Sequence, residues 1–155
     1  MEVYHAPFYG IGVMVLWFGW LFFNAGSTLS VIEASQEQAE RALMNSILGP
    51  SAGGLAGMIC RKYIGNNTPA FREVKYDVIG LLNGVLCGLV AITGNCAFIQ
   101  AWASIVIGGL SPIFYSLTIR LIEKTHFLDD ASEAFPIHGP CGAWGIFATA
   151  FFHTS

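Results

Sequence analysis

Charge is what this sequence lacks most. Only 11% of its 155 residues are Asp, Glu, Lys or Arg, where a soluble domain of this size carries about a quarter. That shortage excludes a water-facing surface. With 54% of the residues hydrophobic, the outside must face lipid. The formal net charge of −3 carries no basic surplus, so no nucleic-acid partner is expected. The four cysteines, Cys60, Cys87, Cys96 and Cys141, have no CxxC spacing. They read as small packing residues rather than disulfides or metal ligands, and no cofactor is expected. No basic segment precedes a short apolar core with a cleavage site, so no removable signal peptide is expected.

What remains is a series of apolar runs. No charged residue occurs between positions 3 and 32, and the stretch 8–23 with its flanks is long enough to cross a bilayer. Asn24-Ala25-Gly26-Ser27 closes that helix, and a loop with Glu33, Glu37 and Glu40 follows. A second uncharged run, 42–60, is bracketed by Arg41 and Arg61 and carries Gly49, Gly53 and Gly57 at four-residue spacing. That spacing leaves bare backbone on one helix face, where a neighbour can approach closely. Pro50 predicts a bend. The run 78–119 is again free of formal charge. As a single helix it would reach roughly 60 Å, about twice the hydrocarbon thickness, so two passes are expected with the turn at Thr93-Gly94-Asn95. Gly80, Gly84 and Gly88 make a second glycine groove, and Pro112 predicts a kink in the fourth helix. The pattern therefore predicts an all-α membrane protein, one domain over 1–155, with five transmembrane helices at about 6–26, 41–60, 77–93, 97–122 and 135–153.

The basic residues orient it. Arg61, Lys62, Arg72 and Lys75 follow the second helix, and Arg120 and Lys124 follow the fourth. With five passes these loops share one side. The positive-inside rule then places the N-terminus in the cytoplasm and the C-terminus outside, in a plasma membrane. The sequon Asn66-Asn67-Thr68 falls on the wrong side for glycosylation.

Candidate chemistry begins with polar groups inside apolar runs: Asn24, Ser27, Asn45, Asn83, Gln100 and His138. Most intramembrane asparagines and glutamines hydrogen-bond a neighbouring helix, and that reading suits Asn45, Asn83 and Gln100. His138 heads a glycine-spaced apolar segment five residues after Glu133, with Asp129-Asp130 upstream. An ionisable group there is a functional candidate; an interfacial histidine bonded to a backbone carbonyl is the plainer alternative. The aromatic cluster 17–23 reads as an interfacial belt or as a vestibule whose ring faces and Ser27 attract a small ammonium-like cation.

The blocks Trp17-Phe18-Gly19-Trp20 and Phe23-Asn24-Ala25-Gly26-Ser27 closely resemble a signature of the ammonium transporters, the Amt/Mep proteins related to Rhesus glycoproteins. The similarity continues through Arg41-Ala42-Leu43-Met44-Asn45, Ser51-Ala52-Gly53-Gly54-Leu55, Asn83-Gly84 and Gly88-Leu89-Val90-Ala91-Ile92-Thr93. It ends with Leu128-Asp129-Asp130 and His138-Gly139-Pro140-Cys141-Gly142-Ala143-Trp144-Gly145. The resemblance implies a fold of about eleven helices built from two inverted five-helix repeats around a narrow pore, of which this chain matches the second. It further implies that His138 is one of two paired pore histidines and that Phe23 is one of two stacked gate phenylalanines. Trp20 would line the conduit below that gate, Ser27 would help recruit ammonium, and Glu133 would lie near the inner mouth.

On that resemblance, ammonium sheds water at the mouth, gives up its proton because a dry pore disfavours charge, and crosses as ammonia while imidazoles relay the proton. The counterparts of the first half, including the other histidine and gate phenylalanine, are missing from this chain. Five helices without their inverted partner would expose the pore-lining face and both glycine grooves. Three readings follow: a partial transporter that works with complementary chains; a non-transporting ammonium sensor or regulatory subunit associated with full-length transporters through Gly49/Gly53/Gly57 and Gly80/Gly84/Gly88; and an intramembrane enzyme using His138 with Glu133 or Asp130. The last is disfavoured, since no nucleophile or metal-ligand spacing accompanies the histidine. Family members form trimers, which the half chain alone does not imply.

Overall fold

The computed structural model describes residues 6–29, 36–65, 76–125, 130 and 132–153. His5, Glu33, the sequon at 66–68, Arg72, Lys75 and Asp129 lie outside the described residues. Among the described residues there are five α-helices: α1 (Ala6–Gly26), α2 (Gln36–Cys60), α3 (Val78–Thr93), α4 (Ala101–Thr125) and α5 (Ala134–Phe152). The second starts earlier than its uncharged run, because Glu37 and Arg41 pair one turn apart on its first turns. It then continues as a π-helical turn, Arg61–Gly65. Among the described residues, three helices are long and apolar enough to cross a membrane: Ala6–Gly26, Gln36–Ile64 and Ala101–Thr125. The third helix is shorter and carries no Asp, Glu, Lys or Arg, and α5 is diluted by His138, Pro136, Pro140 and its glycines.

Glycine sets the centre of the bundle. Gly49, Gly53 and Gly57 of α2 and Gly80, Gly84 and Gly88 of α3 are all buried, and the two rows face each other. A Cβ on Gly57 would lie 2.6 Å from the Gly84 Cα, and one on Gly88 would lie 2.7 Å from both the Gly49 oxygen and the Pro50 Cα. Gly108 brings α4 against Gly49 in the same way. Without lipid-excluded water to drive them together, membrane helices associate by such close backbone contact. This corrects the expectation of exposed grooves. They close on each other within the chain, so they offer no surface to a full-length partner.

The turn between α3 and α4 falls at Gly94, as expected, and runs deep in the bundle with Asn95, Cys96, Ala97 and Ile99 buried. Non-helical backbone at that depth needs internal partners. The Asn45 amide supplies them, donating to the carbonyls of Cys96 (2.7 Å) and Ile99 (2.9 Å). Around α2–α4, α1 packs on α2 and α3, and α5 packs on α3 and α4. The two outer helices thus flank α3. Of α1 only Val13 and Asn24 are buried. All four cysteines are buried thiols at helix contacts.

Candidate functional site

Residues Leu82, Leu86, Val90 and Thr93 recur at helical spacing along one stripe of α3, between α1 and α5. A shallow apolar groove lined by Pro7, Gly10, Ile11, Met14, Val15 and Phe18 of α1 with Leu82 of α3 runs along the outer side of α1, about half a turn away from Phe23. On the other side a Cβ on Gly142 would sit 3.7 Å from the Val90 side chain. His138 lies one turn before Gly142 on the stripe that turns toward α3, and it is exposed. Ile137 and Cys141, next to that stripe, are buried against Cys87, Tyr115 and Ile119.

Along α1, Trp17 and Trp20 turn inward. Their indole N–H groups donate to the Ser46 carbonyl and to Thr93 Oγ1, each at 2.8 Å. That corrects the belt reading for the tryptophans; the exposed rings of the cluster are Phe18, Phe22 and Phe23. Phe23 is 57% exposed, and its ring stands edge-on to Trp20 at a centroid distance of 6.3 Å. Ser27 donates its hydroxyl to the Phe23 carbonyl at 2.6 Å. With its hydrogen spent on its own helix, the exposed Ser27 oxygen presents only lone pairs outward, as a cation requires.

Both α1 and α5 begin at the end of the bundle where Tyr9 and Glu133 meet through Asn83. From that level, at 1.5 Å per residue, His138 lies about 7 Å up α5, and Trp20, Phe23 and Ser27 lie about 16, 21 and 27 Å up α1. The five expected site residues are therefore strung along the bundle over nearly a hydrocarbon thickness. They do not form one cluster.

At the Glu133 end the structure adds residues that the sequence reading did not assemble. Tyr9 of α1 donates to Asn83 Oδ1. The Asn83 amide donates to the Tyr115 oxygen at 2.6 Å and to Glu133. Tyr115 of α4 donates to Glu133 Oε2 at 2.6 Å. Arg61, closing α2, forks between Asp77 at 3.2 Å and Glu133 at 3.6 Å. Asp77 in turn caps α3 by accepting from the Gly80 N–H at 2.8 Å. All five helices are tied in this one knot. Its signals in the sequence were faint: Asp77 immediately before an apolar run is an N-cap pattern, and Arg61 ends another run.

Glu133 and Asp130 do not pair with His138. The Glu133 carboxylate is taken by the knot. Asp130 accepts from the Phe135 N–H at 2.6 Å and so caps α5 itself. Slight burial alone would raise the Asp130 carboxyl, but the N–H groups of Phe135 and Ala134 and the Ser132 hydroxyl hold it below its ordinary value. Among the described residues no imidazole–carboxylate dyad forms, and no group of three His, Cys, Asp or Glu is placed to hold a metal ion.

A glycine-seamed bundle of apolar helices, with polar groups from all five knotted at one end, defines an all-α, multi-pass membrane protein. The Ammonium Transporter Family model matches residues 1–155, and the chain belongs to that family. It is 39% identical over 142 residues to ammonium transporter Amt2 of Archaeoglobus fulgidus, covering 92% of this chain and 28% of that protein. It is 34% identical over 145 residues to the ammonium transporter of Bacillus subtilis, covering 94% and 33%. Among solved structures, Saccharomyces cerevisiae Mep2 superposes with a TM-score of 0.78 at 31% identity over 92% of this chain and 29% of that one. A structure described as a sensor Amt protein gives 0.83 at 27% identity over 99% and 35%. The chain thus spans about a third of the length of the relatives it matches.

Proposed function

We propose that this chain supplies the second five-helix half of an ammonium conduit and moves ammonium or ammonia across the membrane together with a complementary half. The observation that carries this reading is that His138 and Phe23 are both exposed, on the two helices that flank α3. Ammonium would meet the Ser27 oxygen and the faces of Phe23 and Trp20, which replace part of its water shell. The Phe23 ring would gate the conduit. Beyond it an apolar conduit would disfavour a charge, so the ion would part with its proton and proceed as ammonia. His138, with a histidine from the other half, would pass that proton on. Potassium has no proton to give up and would be refused. The basic residues put the Glu133 end in the cytoplasm, so Ser27 would face outward.

The test is uptake of methylammonium by cells that lack their own ammonium transporters and make this chain with a complementary half. His138→Ala should abolish or greatly change ammonium-specific uptake while the complex still assembles. Unchanged, ammonium-selective uptake in that variant would sink the reading. The likeness to the sensor Amt structure supports a second reading, in which the chain binds ammonium without passing it. Ammonium-dependent protection of this chain from unfolding, with no uptake by the complex, would favour it.

A further inference from the structure

Glu133 is one of two non-glycine residues found with positive φ among the described residues, at φ 55° and ψ 27°. A side chain in that left-handed region costs about 1 kcal/mol or more and persists where its surroundings over-determine it. Here the surroundings are side chains from other helices: Asn83, Tyr115 and Arg61. Asn83 is the centre of that group. It is 2% exposed, and it is one point at which α1, α4 and α5 all meet α3. Its hydrogen bonds also fix which way its amide points. Reversing it would set the amide oxygen against the Glu133 carboxylate and leave the Tyr9 hydroxyl facing an N–H group.

We propose that Asn83 is a positioning residue of the conduit: by donating to Glu133 and Tyr115 it holds the left-handed turn at Glu133, and so sets the first turn of α5 and the His138 it carries. This rests on the transport reading above. The role needs a donor at position 83. An aspartate there has nearly the same shape but offers a second carboxylate where Glu133 requires an N–H. The groups facing this point are Tyr9 from α1, Arg61 from the end of α2, Asp77 and Cys87 from α3, Tyr115 from α4 and Glu133 from α5. Arg61 is the cation among them, and it already serves Asp77.

In Asn83→Asp the two adjacent carboxyls share one proton at acid pH, which restores the missing donor. Like charges this close do not both ionise until the pH is well above the usual carboxylate range. Methylammonium uptake by the Asn83→Asp complex should therefore fall about tenfold or more between about pH 5 and pH 8, a transition absent from the wild type. The melting temperature of the isolated chain in detergent should fall over the same range. Asn83→Asp/Glu133→Gln moves the charge across the bond and returns a donor opposite it, so uptake should recover and the added pH transition should vanish. An Asn83→Asp profile that follows wild type, or a double variant no better than the single one, overturns the proposal. So does a melting transition without any change in the uptake profile, since that leaves Asn83 a structural role alone. If Asn83→Asp fails to accumulate at any pH, the double variant decides: uptake near wild type supports the proposal, and none overturns it. A wild-type complex that takes up no methylammonium counts against the transport reading instead, and the melting profiles still report on the knot.

Discussion

The two ends of the bundle solve the same problem with different chemistry. At the Glu133 end, Arg61, Asp77 and Glu133 are held with Tyr9, Asn83 and Tyr115 in an ionic knot that touches every helix. At the Ser27 end the ties are neutral. Asn24 bonds Ser46, Asn45 bonds the carbonyls of Cys96 and Ile99, and Asn95 bonds the Gly145 carbonyl. The ionic end is partly wet, with the Glu133 side chain 30% exposed, whereas Asn45 and Asn95 are essentially sealed. Charges are affordable where water reaches them; deeper in, a chain that must turn back within apolar surroundings uses amides to satisfy its carbonyls. Losing one member should consequently cost more at the ionic end than at the neutral end.

The largest effect should come from Arg61→Met. It leaves Asp77 and Glu133 without their cation, and removing one member of a buried ion pair costs about 3–5 kcal/mol. Unfolding titrations in mixed detergent micelles should register that loss at neutral pH. A deficit no larger than that of the neutral-end variant below would break the contrast drawn here. Next is the seam that joins the ends. Gly84→Ala sets a Cβ 2.8 Å from the Gly57 Cα, against backbone that cannot step aside. Forced separation of the two helices should cost about 2–3 kcal/mol. At the neutral end, Asn45→Ala strands two buried carbonyls and should cost about 1–3 kcal/mol. That loss should be smaller than that of Arg61→Met, read in the same titrations.

Much of this was legible from sequence, and the reason is local. Long uncharged runs, an uncharged turn near Gly94 and glycine at four-residue spacing are properties of neighbouring residues, so the five helices and their bare faces could be read directly. What failed was pairing. The two glycine rows read as faces that a neighbouring helix can approach but not as each other's partners, because spacing reports that a face is open and not which face will meet it. The knot was missed for the same reason: Tyr9 and Asn83 are 74 positions apart, and Asn83 and Glu133 are 50 apart. Trp17 and Trp20 misled because an indole at a helix end has the same composition whether its N–H reaches water or, as here, Ser46 and Thr93. Of the candidate site, the order of Glu133, His138, Trp20, Phe23 and Ser27 along the bundle follows from helix rise alone once the helices are paired.

The smallest effect belongs to Asp130, beside the ionic end but outside the knot. Its carboxylate accepts from the first N–H groups of α5, where an anion also faces the positive end of the helix dipole. Because the folded state holds this carboxyl below its unfolded value, its contribution is complete above the unfolded pKa and disappears as the pH falls through the folded one. Asp130→Asn keeps an oxygen acceptor at the cap and loses only the charge, so it should cost a few tenths of a kcal/mol at neutral pH. Asp130→Ala removes the acceptor too and should cost about 1 kcal/mol. Melting of the three proteins should converge between Asp130 and Asp130→Asn at strongly acid pH, while Asp130→Ala stays lower. If Asp130→Asn instead matched Arg61→Met in size, the acidic start of α5 would have to be counted as part of the knot, and the division between a coupled ionic centre and a solvated cap would fall.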